Sequence, residues 1–460
     1  MSTSIAEPSH SVVSAAPNPY LAENFAPVPA ETTAFALPVE GHIPEELEGR
    51  FLRIGPNPVS PQDPASYHWF VGTGMAHGLR LRGGRAEWYR SRYVLSGQDA
   101  ETLGRPALPC PPDRRAGSVN TNLVGIAGRT FAIVEAGGLP VELSYELESV
   151  ALSDFGGSLE TGFSAHPKRD PRTGELHVLA YQAGAPLLRY LVVDKAGRAR
   201  TVADLSLPHS PLVHDIAITE SSILVLDLPA TFQPQAVPPG SFPYAWNPEQ
   251  QPRIGLLPRN GDVAQLVWFE APSCFVFHFL NAYDEGHRVV VDVIRHPKMF
   301  DKDRLGPNEG RPVLARWILD RTTGKLSESL LDDRGCEFPR LNSAFTGAPY
   351  RYGYSAHWAE NVVFGPAMKH DVIAARTEVH DYGPGRVTLE PVFVRRHGAV
   401  DEDDGWVMSY VYDAGRNTSD VVILDAKNFA GPPVATIQLP VRVPFGFHGG
   451  WAPDQRPMAD

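Results

Sequence analysis

Apolar residues along the chain gather in short runs closed by glycine, proline, asparagine or aspartate. Thr130-Phe131-Ala132-Ile133-Val134, Ile223-Leu224-Val225-Leu226 and Val421-Val422-Ile423-Leu424 are four or five residues long and rich in β-favouring side chains. Runs this short, bounded by turn residues, predict strands and not helices. Asp170-Pro171-Arg172-Thr173-Gly174, Asp194-Lys195-Ala196-Gly197 and Asp320-Arg321-Thr322-Thr323-Gly324 each join two such runs, as hairpin turns do. The 3.6-residue period of an amphipathic helix is nearly absent, and Tyr145 to Ser153 is the best helical candidate. The run Phe275-Val276-Phe277-His278-Phe279-Leu280-Asn281-Ala282-Tyr283 predicts a strand covered on both faces. A histidine in its middle is costly to desolvate unless its ring nitrogens find partners. His278 is therefore either a core histidine bonded to nearby backbone or a metal ligand.

The elements point to an all-β fold. A sandwich of 460 residues would be unusual, whereas repeated four-stranded sheets suit the length. Propeller blades of roughly 40 to 50 residues would number about six to eight, although no tryptophan-aspartate blade signature recurs. Residues 1–17, rich in Ser, Ala and Pro, are expected to form a disordered tail, with residues 18–460 a single domain. Two long segments interrupt the strands: the proline-rich Gly104 to Gly117, and Thr231 to Gly261 with Phe232, Phe242, Tyr244 and Trp246. Loops of this length serve function or remain disordered. Their aromatic content fits a lid or a membrane-touching surface, or equally a packed satellite cluster.

Composition narrows the class. Hydrophobic residues at 43% and charged residues at 20% describe a globular chain with a sizeable core, and 44 prolines with 41 glycines fit many turns. A net charge of −12 without a basic stripe argues against a nucleic-acid partner. Cys110, Cys274 and Cys336 are too scattered for a disulfide framework or a thiolate metal site, which fits a reducing cytoplasm. The N-terminus lacks the cationic start and apolar core of a signal peptide, and no apolar run approaches the length of a spanning helix.

Sixteen histidines are present, and four share a setting beside a turn and small or apolar residues. They are His166 in Ala165-His166-Pro167-Lys168, His214 in Val213-His214-Asp215, His278, and His448 in Gly446-Phe447-His448-Gly449. Their separations of 48, 64 and 170 residues match no local ligand motif but allow inner strands to converge on one axis.

These segments resemble the carotenoid cleavage oxygenase family, which also takes in lignostilbene dioxygenases and retinoid isomerases. Further anchors run in order from about Asn18 to Pro453. They include Leu47-Glu48-Gly49-Arg50-Phe51-Leu52-Arg53-Ile54-Gly55-Pro56-Asn57-Pro58, His68-Trp69-Phe70, Cys336-Glu337-Phe338-Pro339-Arg340 and Glu402-Asp403-Asp404-Gly405. The resemblance implies a seven-bladed β-propeller with an irregular dome of loops and short helices over one face. It implies one non-haem Fe(II) per chain held by His166, His214, His278 and His448, with O2 as co-substrate. Glu135, Glu337 and Glu390 carry over as carboxylates bonded to His214, His278 and His448, and Thr121 as the residue whose methyl crowds an open metal position. By ligand type alone, four imidazoles suit iron, copper, zinc or nickel.

The implied reaction is O2-dependent cleavage of a C=C bond in a hydrophobic conjugated molecule, giving two carbonyl products. Phe70, Phe163, Phe279 and Phe447 are candidate walls of an apolar tunnel. Phenol-cleaving relatives carry a lysine just before the first of these glutamates; Val134 stands there and cannot bond a phenolate, although Tyr93 is available. That departure favours a carotenoid or apocarotenoid over a lignostilbene-like substrate. Thr73 stands where the family usually has aspartate, which puts a local hydrogen bond in doubt. A retinoid-isomerase reaction and a non-catalytic carotenoid-binding propeller are the other readings. Peripheral contact with a membrane through the aromatic loops is expected for so apolar a substrate; oligomeric state is not legible.

Overall fold

The structure, a computed structural model, describes residues 18–60, 62–114, 117–237, 241–359 and 362–454. The tail predicted for residues 1–17 lies outside the described residues. The strand runs fold into seven antiparallel sheets, arranged as the blades of a β-propeller. Blade I is built from Gly49–Pro56, Gly74–Arg82 and Arg85–Val94, with Thr32–Phe35 on its outer edge and Gly449–Pro453 on its inner edge. Blade II runs outward from Asn122–Ile126 to Ser149–Leu152, and blade III from Lys168–Arg169 to Ala199–Ser206. Blade IV starts at Ala217–Ile218, blade V at Phe275–Glu285 and blade VI at Cys336–Leu341. Blade VII starts with Arg386–Thr388 and Val392–Arg395, both paired with Gly405–Asp413, and ends on Val39–Gly41.

The ring closes twice. Gly449–Pro453 pairs with Gly49–Pro56 at the inner edge of blade I, and Val39–Gly41 pairs with Ala435–Gln438 at the outer edge of blade VII. The inner closure needs glycine at 449, because an added Cβ would lie 1.9 Å from the Leu52 carbonyl oxygen. Between the blades, buried apolar faces interlock. One cluster joins Leu188, Ile223, Phe275, Val291 and Trp317 of blades III to V. Full burial of each such side chain contributes about 1.5–3 kcal/mol.

All three predicted hairpin turns join adjacent strands. The first is fastened by Asp170, whose buried carboxylate accepts from the Arg172 backbone N–H at 2.8 Å and faces Arg259 Nη2 at 2.7 Å. Burial raises its pKa, but these donors outweigh burial and hold it down near 2. A carboxylate with a depressed folded pKa stabilises the fold above its unfolded value, near 3.9, and that stability is lost as pH falls toward 2. Asp170→Asn is therefore expected to lower the melting temperature at pH 7, with the deficit shrinking by pH 3. Thermal melts across that range read it, and a pH-independent deficit would contradict the assignment.

Two predicted elements differ from the structure. Tyr145 to Ser153 contains no helix: Leu147 takes φ +71°, which ends any right-handed turn, and Ser149–Leu152 pairs with Val141–Leu143. The segment Thr231 to Gly261 is only partly loop. Ala230–Phe232 and Tyr244–Trp246 form a small two-stranded sheet, and Arg253–Pro258 is a strand of blade IV. Its aromatic residues pack inward against the core of blades III to V, so the satellite-cluster reading describes Phe232, Phe242 and Trp246. The described part of Gly104 to Gly117 lies against blade II, where Pro109 O accepts from Leu152 N at 2.9 Å. The single α-helix among the described residues is Gln98–Thr102, and no helix is long and apolar enough to cross a membrane.

Candidate metal centre

Each of the seven blades sends one ionisable side chain to the axis. His448 precedes the inner strand of blade I, His166 that of blade III and His214 that of blade IV, while His278 lies within the inner strand of blade V. Glu135 follows the second strand of blade II, Glu337 lies in the inner strand of blade VI, and Glu390 enters blade VII. The pairing register slips on both sides of His278 and again after Glu337. Such bulges re-aim a side chain without ending the strand. Ala136 and Phe338, each next to one of these glutamates, adopt φ +60° and +57°. A left-handed non-glycine residue costs roughly 1–2 kcal/mol, and strain of this kind gathers at functional sites.

The four imidazoles converge. Their nearest ring nitrogens all lie within 4.8 Å of one another, with His166 Nε2 3.0 Å from His214 Nε2 and His278 Nε2 3.2 Å from His448 Nε2. His214 Nδ1 faces Glu135 Oε1 at 2.7 Å, His278 Nδ1 faces Glu337 Oε2 at 2.6 Å, and His448 Nδ1 faces Glu390 Oε1 at 2.7 Å. A proton on Nδ1 donates to the carboxylate in each pair, which leaves an Nε2 lone pair aimed at the axis. Lone pairs held this close repel unless a cation sits among them, so the donor set fits a transition metal.

Protonation agrees with that fit. Burial, and then the neighbouring imidazoles, push His166 far below the ordinary range. Burial also takes His448 down to about 3, against the pull of Glu390. His214 is the exception: burial pulls it down, but Glu135, Asp215 and Glu337 outweigh burial and raise it. Neutral imidazole is the ligand form. Glu337 and Glu390 are held well below the carboxylate range although burial opposes it; His278 and His296 do this for Glu337, Arg340 and His448 for Glu390.

Sequence reasoning missed two of these supports. His296 Nε2 donates to Glu337 Oε1 at 2.8 Å, and Arg340 Nε donates to Glu390 Oε1 at 2.8 Å. His296 ends a strand without any motif. Arg340 sits three residues after Glu337, and the bulge between them decides its direction.

An aromatic cavity of about 130 Å3 lies against His214, His278 and His448 of the axial cluster. Trp69, Phe70, Phe242, Phe277, Phe338 and Phe447 line it, together with Val134 and Thr121. Irregular segments supply Trp69, Phe70, Phe242 and Pro307, so the connections between strands roof this face. Of the four phenylalanines expected in the wall, Phe70 and Phe447 line the cavity, while Phe163 and Phe279 are buried in the core between blades. Tyr93 is not in the wall; its hydroxyl accepts from Asn57 Nδ2 at 3.0 Å. Thr121 donates its hydroxyl to Asn120 Oδ1 at 3.0 Å, and its carbonyl accepts the His448 backbone N–H at 3.1 Å. Thr73 bonds Asp99 Oδ1 at 2.8 Å, so a threonine still anchors that turn.

Seven antiparallel blades closed around an all-imidazole centre, with an aromatic cavity beside it, define a class of propeller metalloprotein. The chain belongs to the carotenoid cleavage oxygenase family: the model of the retinal pigment epithelial membrane protein family matches residues 25–453. It is 40% identical to a carotenoid cleavage oxygenase of Mycobacterium tuberculosis, over 95% of this chain and 98% of that protein. Its fold is similar to that of a Synechocystis apocarotenoid oxygenase mutant, with a TM-score of 0.83 at 26% identity, covering 95% of this chain and 99% of that one. A Pseudomonas brassicacearum lignostilbene dioxygenase superposes with a TM-score of 0.84 at 26% identity, covering 95% and 98%.

Proposed function

We propose that the chain is a non-haem Fe(II) dioxygenase that uses O2 to cleave a C=C bond of a carotenoid or apocarotenoid, giving aldehyde or ketone products. The observation that carries this reading is the set of four axial histidines, three of them backed by carboxylates, beside an aromatic cavity. His166, His214, His278 and His448 would hold the iron, which when bound supplies activation of O2. The protein's own part is positioning and exclusion of water. Glu135, Glu337 and Glu390 keep each Nε2 free and offset the metal's charge. Trp69, Phe70, Phe338 and Phe447 present flat apolar surface to a rod-like polyene and hold one double bond near the axis. No cavity residue needs to act as general acid or base.

Val134 in the cavity wall offers no hydrogen bond to a phenol, which favours polyenes over hydroxystilbenes. Likeness to the lignostilbene dioxygenase keeps hydroxystilbene cleavage as the second reading. Incubation of iron-loaded protein with carotenoids, apocarotenals and hydroxystilbenes under 18O2 decides between them. Cleavage is expected to place label in both carbonyl fragments, from a polyene in the first reading and from a stilbene in the second. A pigment that binds and never bleaches would mark a binding protein instead. Peripheral membrane contact belongs to the first reading, since such substrates dissolve in lipid, and protein remaining wholly in the supernatant after sedimentation with lipid vesicles would count against it.

A further inference from the structure

Among the polar groups of the cavity wall, three buried oxygens lack a well-formed hydrogen bond. Glu135 gives Oε1 to His214, but its Oε2 is buried and accepts no hydrogen bond. The hydroxyls of Tyr181 and Tyr244 are likewise buried, on residues only 4% and 3% exposed, and lie near each other without a well-formed hydrogen bond. All three residues line the cavity. The other polar groups of that wall are spoken for. Asn120 donates to Phe70 O and Gly72 O, Thr121 donates to Asn120, and Glu337 is bonded by His278 and His296. A buried polar atom without a partner is destabilising, so three together on one wall call for an explanation.

The three groups sit on rigid supports. Tyr181 ends the strand Leu176–Tyr181 of blade III, and Tyr244 opens the strand Tyr244–Trp246 of the small sheet beneath the roof. The ring of Tyr244 packs against Phe242 and Phe232 at 5.2 and 5.7 Å, which restricts where its hydroxyl can point. Burial raises both tyrosines; Tyr244 and then Glu135 push Tyr181 further up, while Tyr181 pulls Tyr244 down without offsetting its burial, so both remain protonated donors. The three groups thus combine two O–H donors with one carboxylate acceptor, one imidazole removed from the axial cluster.

We propose that Glu135 Oε2, Tyr181 and Tyr244 form a polar subsite that takes a hydroxyl group on the substrate and thereby selects which double bond lies at the axis. A hydroxyl satisfies all three: it donates to the carboxylate and accepts from the phenols. An unsubstituted hydrocarbon end would leave them desolvated and unpaired, which is how a site built for hydrogen bonds rejects an analogue. The inference rests on the reading of the cavity as an alkene-cleaving site, and it makes Tyr181 and Tyr244 specificity-determining residues of that site.

The test uses two ligand pairs, each differing by a single hydroxyl: 4-hydroxystilbene with stilbene, and a ring-hydroxylated apocarotenal with its deoxy counterpart. Binding is read by quenching of tryptophan fluorescence in metal-free protein, and the cleavage site is read by product mass in iron-loaded protein. Wild type is expected to bind the hydroxylated member of at least one pair about tenfold or more tightly. The Tyr181→Phe/Tyr244→Phe double variant should reduce that preference to within about twofold while its melting temperature holds or rises, because each phenylalanine removes an unpaired buried hydroxyl. Equal wild-type binding in both pairs would overturn the subsite and leave a trapped water as its occupant, as would a preference that survives in the double variant. A hydroxyl preference without cleavage of any ligand would sink the oxygenase reading and leave the subsite standing.

Discussion

His278→Ala is expected to yield folded protein that retains less than about a tenth of the wild-type iron after desalting and shows no turnover above the metal-free background. The imidazole contributes one of four nitrogens gathered within 4.8 Å, and its Nδ1 is backed by Glu337 at 2.6 Å. Loss of the ring leaves a site of three nitrogens with an open wall. The fold should survive, because Glu337 keeps His296 Nε2 at 2.8 Å and the Phe338 backbone N–H as partners. Metal analysis alongside a thermal melt separates the two effects. Full iron content in a folded variant would refute His278 as a ligand.

Glu337→Leu carries the second largest effect. The carboxylate is 1% exposed and accepts from His278, His296 and the Phe338 backbone. Leucine leaves three buried donors without an acceptor, at about 1–3 kcal/mol each where water cannot reach them. It also frees the His278 ring to turn and to move its proton to the axial nitrogen. Metal affinity is expected to fall about 10- to 100-fold, the usual effect of removing such a carboxylate, together with a clear drop in melting temperature. Competition with a colorimetric chelator reads the first quantity. An affinity within twofold of wild type would show that Glu337 serves packing alone.

Hairpins were legible in the sequence because turn chemistry is local: Asp170 to Gly174 and Asp320 to Gly324 carry their geometry in their own residues. Blade number was not, since seven sheets follow from how the ring closes, and closure pairs Gly49 with Pro453 across almost the whole chain. The same limit governs the centre. His166, His214, His278 and His448 stood out only through resemblance, because sixteen histidines make many quartets and spacing cannot rank them. His296 and Tyr181 gave no signal, and Arg340 and Tyr244 stood out only as members of a longer segment, for their roles depend on bulges and on which face of a neighbouring blade they meet. The helix expected at Tyr145 to Ser153 failed on Leu147, whose backbone conformation is imposed by the turn between two strands. Tertiary context overrode local preference there.

The closing strand has a consequence for how the protein is made. His448 immediately precedes Gly449–Pro453, the strand that seals blade I. While blade VII is still being translated, the nascent polypeptide carries three of the four imidazoles, with Glu135 and Glu337. The four-nitrogen cluster is therefore complete only when the last strand seals the ring.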